Sequence, residues 1–277
     1  REKHVWFGAW SNQNFDHDSV GRGVFVQHLG ILSSYWNYQG NLFYSPGVLD
    51  DRLTRGGPLV RTRRSWDSTE SLGSDNRKRF YFTLNAHASG AGDGSFEHSL
   101  GVTLTAQPSP SLALSLSPTI DRIHDHTQYL TTVADPTATA TYGNRYVFAD
   151  LDQRSFELGT RVDWTLTPAL SFQLYMQPFV ASGDFHDYHS LVAARTSDYQ
   201  PYAGAVANPD FDLRSVRASA VARWEFRPGS ALYVVWNENR ADTLDTGTLR
   251  VARDLRGVAN APSHDAFLIK MSYWLPF

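Results

Sequence analysis

The chain has 277 residues, 42% of them hydrophobic and 13% aromatic, with a net charge of −3 and no cysteine. Its 16 Phe, 13 Tyr and 8 Trp are too many for a solvated coil. The absence of thiols excludes disulfide frameworks, cysteine-ligated metal and thiol nucleophiles, and the slightly acidic balance speaks against nucleic acid as a partner. Apolar runs extend only a few residues, so no helix long enough to cross a membrane is encoded. The chain begins at Arg1 and shows no signal peptide. It reads as one domain over 1–277, either a mature chain or the C-terminal part of a longer protein.

From the N-terminus, residues 5–15, 24–32 and 35–45 each read as a strand. Residues 46–58 read as a loop and 59–73 as a further strand. Leu100, Val102, Leu104 and Ala106, then Leu112, Leu114 and Leu116, recur at every second position. Alternation is strict in Phe156, Leu158, Val162, Trp164 and Leu166 against Glu157, Gly159, Arg161, Asp163 and Thr165. Phe172, Leu174 and Met176 repeat it, as do Val216, Ala218, Ala220, Ala222, Trp224 and Phe226. A period of two means strands with one apolar and one polar face. Several run about 11–15 residues, beyond the usual globular length and enough for a tilted strand to cross a bilayer.

Connections alternate in size. Tight turns carry Asp75-Asn76, Pro108-Ser109-Pro110, Thr167-Pro168 and Pro228-Gly229, and longer segments (89–94, 123–153, 183–212, 241–263) fall between them. Short turns on one side and long loops on the other mark a bacterial outer-membrane barrel. The expectation is an all-β, antiparallel transmembrane barrel of about 12 or more strands. Lipid-facing positions are Phe156, Leu158, Val162, Trp164, Phe172, Leu174, Trp224 and Phe226. Trp164, Phe172, Trp224, Phe226 and Tyr273 would form an aromatic girdle at one interface, with Phe156 and Phe267 near the other. The series Phe267, Ile269, Met271, Tyr273, Leu275 and Phe277 has the form of a C-terminal signal for the outer-membrane insertion machinery, a partner along with outer-membrane lipid.

Several stretches carry a family resemblance. They are Arg154-Ser-Phe-Glu-Leu-Gly-Thr-Arg-Val-Asp-Trp with its continuation Leu170-Ser-Phe-Gln-Leu-Tyr, Arg55-Gly-Gly-Pro58, Arg223-Trp-Glu-Phe-Arg-Pro-Gly-Ser230, Leu232-Tyr-Val-Val-Trp236 and Ser272-Tyr-Trp-Leu275. Together they resemble the C-terminal barrel of a bacterial outer-membrane family of unknown function. Members of that family carry an N-terminal domain similar to carbohydrate-binding module family nine. The resemblance implies a carbohydrate-related setting. It transfers no catalytic residue, and no sugar-binding role to any position here.

The polar faces offer Arg61, Arg63, Arg79, Glu157, Arg161, Asp163, Arg217, Arg223, Glu225 and Lys270 as pore-lining candidates for a porin-like channel passing small solutes, sugars among them. The bland reading is a salt-bridge network filling a narrow barrel. A scaffold barrel gripping a partner protein or a glycan through its long loops is the alternative. A rim-sited hydrolase using His124, Asp125, His186, Asp187 and His189 is weaker, since no nucleophile motif accompanies them. Asp16-His17-Asp18, His124-Asp125-His126 and His186-Asp187-Tyr188-His189 have metal-ligand chemistry. Two ligands at i and i+2 do not complete a site, so neither metal nor cofactor is expected. Deleting Phe277 should lower barrel assembly in cells while detergent refolding persists; normal assembly without it would refute the terminal-signal reading.

Overall fold

The computed structural model describes residues 2–275. Fifteen strands form in chain order: β1 (Lys3–Gln13), β2 (Ser19–Ile31), β3 (Asn37–Ser45), β4 (Leu49–Asp50), β5 (Val60–Arg61), β6 (Ser65–Gly73), β7 (Phe80–Ala91), β8 (Phe96–Ser109), β9 (Leu112–Ala134), β10 (Asn144–Thr167), β11 (Leu170–Leu191), β12 (Tyr199–Pro201), β13 (Phe211–Arg227), β14 (Ser230–Leu244) and β15 (Ser263–Ser272). The helix α1 (Val251–Val258) lies between the last two.

Twelve long strands make one antiparallel meander in the order β1-β2-β3-β6-β7-β8-β9-β10-β11-β13-β14-β15. The short β12 pairs with β11, and β4 with β5. This is the expected all-β, outer-membrane barrel architecture. Consecutive strands pair because each is half apolar and its backbone must find a partner wherever water is excluded. Among the described residues, β1 and β15 form the two ends of the order.

The register places the alternating residues on two faces. Trp164 opposes Phe172 and Val162 opposes Leu174 across β10–β11. Phe172 in turn opposes Ala222 and Leu174 opposes Ala220. Val234 opposes Ile269 and Trp236 opposes Phe267 at the far end. These side chains have no protein layer over them: Ile269 is 71% and Phe267 75% exposed. An aqueous protein rarely leaves so broad an apolar face open; hydrocarbon accounts for it.

The apolar face also has a visible upper limit. Continuing past Ile120 and Phe156, the next same-face residues are Arg122 and Arg154, which oppose one another. On β13 the face passes from Ala218 to Arg214, which pairs with Asp242. Charges on the outer face are costly inside hydrocarbon, so this row marks where lipid tails end. Below it, β10 keeps Phe156–Leu166 for the bilayer. Above it, the rest of the 24-residue strand projects outward, together with the distal halves of β9 (23 residues) and β11 (22 residues).

Two expectations need correction. The stretches 123–153 and 183–212 are not simply loops, because most of the first and the start of the second continue the hairpins as paired strand. Residues 92–95 form a tight turn where a long connection was expected. Local alternation fades in these projecting strands because both faces become covered, Val147 and Ala149 on one side and Tyr146 and Phe148 on the other.

The sheet is strongly curled. Asp18, in the β1–β2 turn, is ion-paired with Arg195, four residues beyond β11. In a flat sheet β2 and β11 would lie seven spacings, about 34 Å, apart, a gap that four residues of chain cannot bridge.

The terminal series runs along β15 as far as Met271. Tyr273 and Leu275 follow it, with the Tyr273 hydroxyl accepting from Arg227 at 2.6 Å. Phe277 lies outside the described residues.

Val162→Arg places a charge in the middle of the apolar band and should cost about 2–4 kcal/mol. Gln173→Arg, on the opposite face, should leave stability near wild type. Urea titration in lipid vesicles measures both; equal effects would refute the facing.

Candidate functional site

Two regions bring polar chemistry together. The first is the polar face of the bilayer-spanning strands. Glu157, Arg161 and Asp163 on β10 share it with Arg217, Arg223 and Glu225 on β13 and Lys270 on β15. The chain of register runs from Arg161 to Tyr175 to Ser219, and from Arg223 to Tyr233 to Lys270. The charges are matched locally. Arg161 Nε donates to Asp163 at 2.7 Å, Arg223 Nη2 donates to Glu225 at 2.7 Å, and Gln177 Nε2 donates to Glu157 at 2.5 Å. Both ion pairs join residues two apart on one strand, so they lie along the wall.

Three of the ten expected wall residues lie elsewhere. Arg61 belongs to β5, outside the main sheet, and Arg63 follows it and donates to the Ser197 carbonyl. Arg79 sits in the turn before β7. The expected strand over 59–73 breaks because Val60 is drawn into an apolar cluster with Tyr146, Phe148 and Leu191. Leu53, Tyr129 and Tyr199 pack around that cluster.

The same cluster anchors a cap over the projecting strands. Backbone hydrogen bonds tie Arg61 to Thr196, Arg195 to Leu59 and Ala194 to Ala140, knitting three connections together. Burial pushes the Tyr199 phenol up from its ordinary value.

Beneath the cap lies the second region. A cavity of about 850 Å³ is lined by Arg61, Arg63, His126, Asp150, Asp187 and His189 among others. Beside it histidines alternate with carboxylates, of which His126, Asp150, Asp187 and His189 reach the cavity itself. His124 Nδ1 lies 3.1 Å from Asp152 Oδ1, and His186 Nε2 lies 3.2 Å from Asp152 Oδ2. His126 Nδ1 lies 2.6 Å from Asp150 Oδ2. A bulge in β11 makes the cluster compact: between the pairs Phe148–His189 and Asp150–His186, β11 uses one more residue than β10. Asp187 in this bulge takes a positive φ of 50°, a conformation Asp tolerates better than most residues.

Burial alone would raise the Asp152 carboxyl; the hydrogen bonds from His186 and His124 outweigh it and hold the group below its ordinary value. The Asp152 hydrogen bond raises His186 in return, against burial.

The sequence singled out His124, His126, His186, Asp187 and His189 but placed them in rim loops, and the structure puts them on strands. It missed Asp150 and Asp152, although their i, i+2 spacing is the signal that would have put them on one face. Asp16 and His17 lie apart from the cluster in the β1–β2 turn, where Asp18 is held by Arg195.

Sheet order, opposed faces and one-sided long connections define an outer-membrane β-barrel. The chain belongs to the family described as a domain of unknown function, DUF5916, whose model matches residues 12–277. Among solved structures it is similar to "Copper transporter OprC", with TM-score 0.54 and 12% identity over 98% of this chain and 42% of that one. It also aligns with a NanC porin structure at TM-score 0.27 and 10% identity, covering 98% and 99% of the two chains. The chain thus spans less than half the length of the first. At such identities the likeness establishes fold alone, and the second superposition is too loose to add to it. No curated protein sequence matches the chain.

In the β9–β10 connection, Asp135 accepts hydrogen bonds from Thr137 and Arg145, which lower its carboxyl from 3.8 to about 2. A depressed folded-state pKa stabilises the loop fully above the ordinary value, and the contribution is lost as pH falls through about 2. Hydrogen-exchange protection of residues 135–143, corrected for intrinsic rates, should fall between pH 4 and pH 2. Asp135→Asn should abolish that pH dependence.

Proposed function

We propose that the protein is a porin-like channel of the bacterial outer membrane that passes small polar solutes through its lumen. The observation that carries this reading is the arrangement of charge on the polar face. A plugged barrel would spend its charged side chains on bridges spanning the interior. Here Arg161 with Asp163, and Arg223 with Glu225, are satisfied along their own strands. Such a wall is polar and nearly neutral, suited to uncharged hydrophilic solutes. Sugars are the class the family resemblance favours. The outer-membrane location rests on the same sheet: half-apolar strands, a long-loop side, and an arginine row closing the apolar face. No catalytic role is proposed, because the histidines and carboxylates of the projecting strands engage one another and no nucleophile motif accompanies them.

A second reading, a scaffold that holds a partner protein or a glycan, draws on the cap. Segments 46–64 and 192–201 are tied into a structured surface beyond the bilayer, where a partner could dock.

Planar-bilayer conductance and liposome swelling in neutral sugars separate the two. A channel gives discrete conductance steps and sugar-dependent swelling, and Arg217→Glu should shift its reversal potential toward cation preference. A folded barrel that neither conducts nor swells would overturn the channel reading and leave the scaffold.

A further inference from the structure

The histidine pair on β9 has a feature that neither channel nor scaffold requires. His124 Nε2 and His126 Nε2 face each other at 3.4 Å. His124 Nδ1 is committed to Asp152 through a hydrogen bond, and His126 Nδ1 lies 2.6 Å from Asp150 Oδ2. An ionised carboxylate only accepts, so His124 Nδ1 carries the proton. In the neutral ring His124 Nε2 is then a lone pair that faces the other imidazole. A proton on His126 Nε2, or a metal ion between the two rings, satisfies it.

We propose that these two nitrogens bind a divalent d-block cation of the zinc class. Two observations support this assignment. Two nitrogens bound about 2.0–2.1 Å from one tetrahedral ion lie about 3.3–3.4 Å apart, which is the separation found. The Asp152 carboxylate, hydrogen-bonded to the far side of the His124 ring, is the kind of outer partner that orients a metal-binding imidazole and raises its basicity.

Access and room are also present. His126 lines the cavity beneath the cap, which brings one of the two rings into reach of an ion entering there. Gly94 leaves the space beside the donor nitrogen empty: a Cβ there would lie 3.0 Å from His126 Nε2. With imidazole donors and no thiolate, the site suits zinc or copper(II) over hard cations such as calcium. Water would complete the coordination sphere, which makes the ion exchangeable. Spacing along the sequence could not reveal this site, because its orienting carboxylate comes from β10, a separate strand paired with β9.

The test is calorimetric titration of the refolded full chain in detergent with ZnCl₂, with folding checked by heat-modifiable gel mobility. One zinc per chain is expected. His126→Gln and His124→Gln should each abolish binding or weaken it at least 100-fold. Asp152→Asn should weaken it about 10- to 100-fold by freeing the His124 ring. His98→Gln, on the neighbouring strand, should leave it unchanged. As a second readout, copper(II) bound to the wild type should give an electron paramagnetic resonance spectrum with splitting from two nitrogens, reduced to one in His126→Gln. Absence of zinc binding by the folded wild type, or equal binding by folded His124→Gln and His126→Gln variants, would overturn the proposal.

Discussion

A backbone amide or carbonyl has no partner in hydrocarbon except another backbone group. Each one left unpaired costs several kcal/mol, and most of what is described above follows from that cost. It forces the spanning segments into a continuous hydrogen-bonded ladder. The ladder fixes a side-chain period of two, and the period divides every strand between lipid and lumen. The mixed composition of the chain is the average of two unlike faces. A mean hydropathy of −0.37 describes neither the Phe156–Trp164 series nor the Glu157–Asp163 series.

This constraint also explains which parts were legible from sequence. Within the bilayer each face meets a uniform medium, so local alternation carries the whole message, and the strands around Leu114, Val162, Leu174 and Ala220 were found by pattern alone. Above the arginine row the rule lapses. Tyr146, Val147, Phe148 and Ala149 are consecutive and all buried, which erases the alternation and made paired strand look like loop. Segment 59–73 failed for a related reason, since Val60 answers to a cluster formed by distant residues. The candidate cation site was half visible. The histidine spacing could be read, but its meaning depends on cross-strand neighbours that only the register supplies.

Placement of charge follows the same division. On the polar face of the spanning strands, Arg161 with Asp163 and Arg223 with Glu225 stay on one strand, where water lowers the cost of ionisation. Beyond the membrane, pairs bridge strands and loops, as with Arg214 and Asp242 or Arg253 and Asp212. There they do mechanical work, holding α1 against β13 and fastening the cap.

The Arg195–Asp18 pair joins residues 177 positions apart, whereas each sheet pairing joins strand neighbours in the meander. Neighbouring strands can zip together as the chain arrives, but this contact waits until β11 has taken its place. Its closure entropy is met only after the intervening ladder has shortened the gap. The cap is therefore a late latch. Its surface exists only on molecules whose strands are in register, so anything that recognises it distinguishes a finished barrel from an unfinished one.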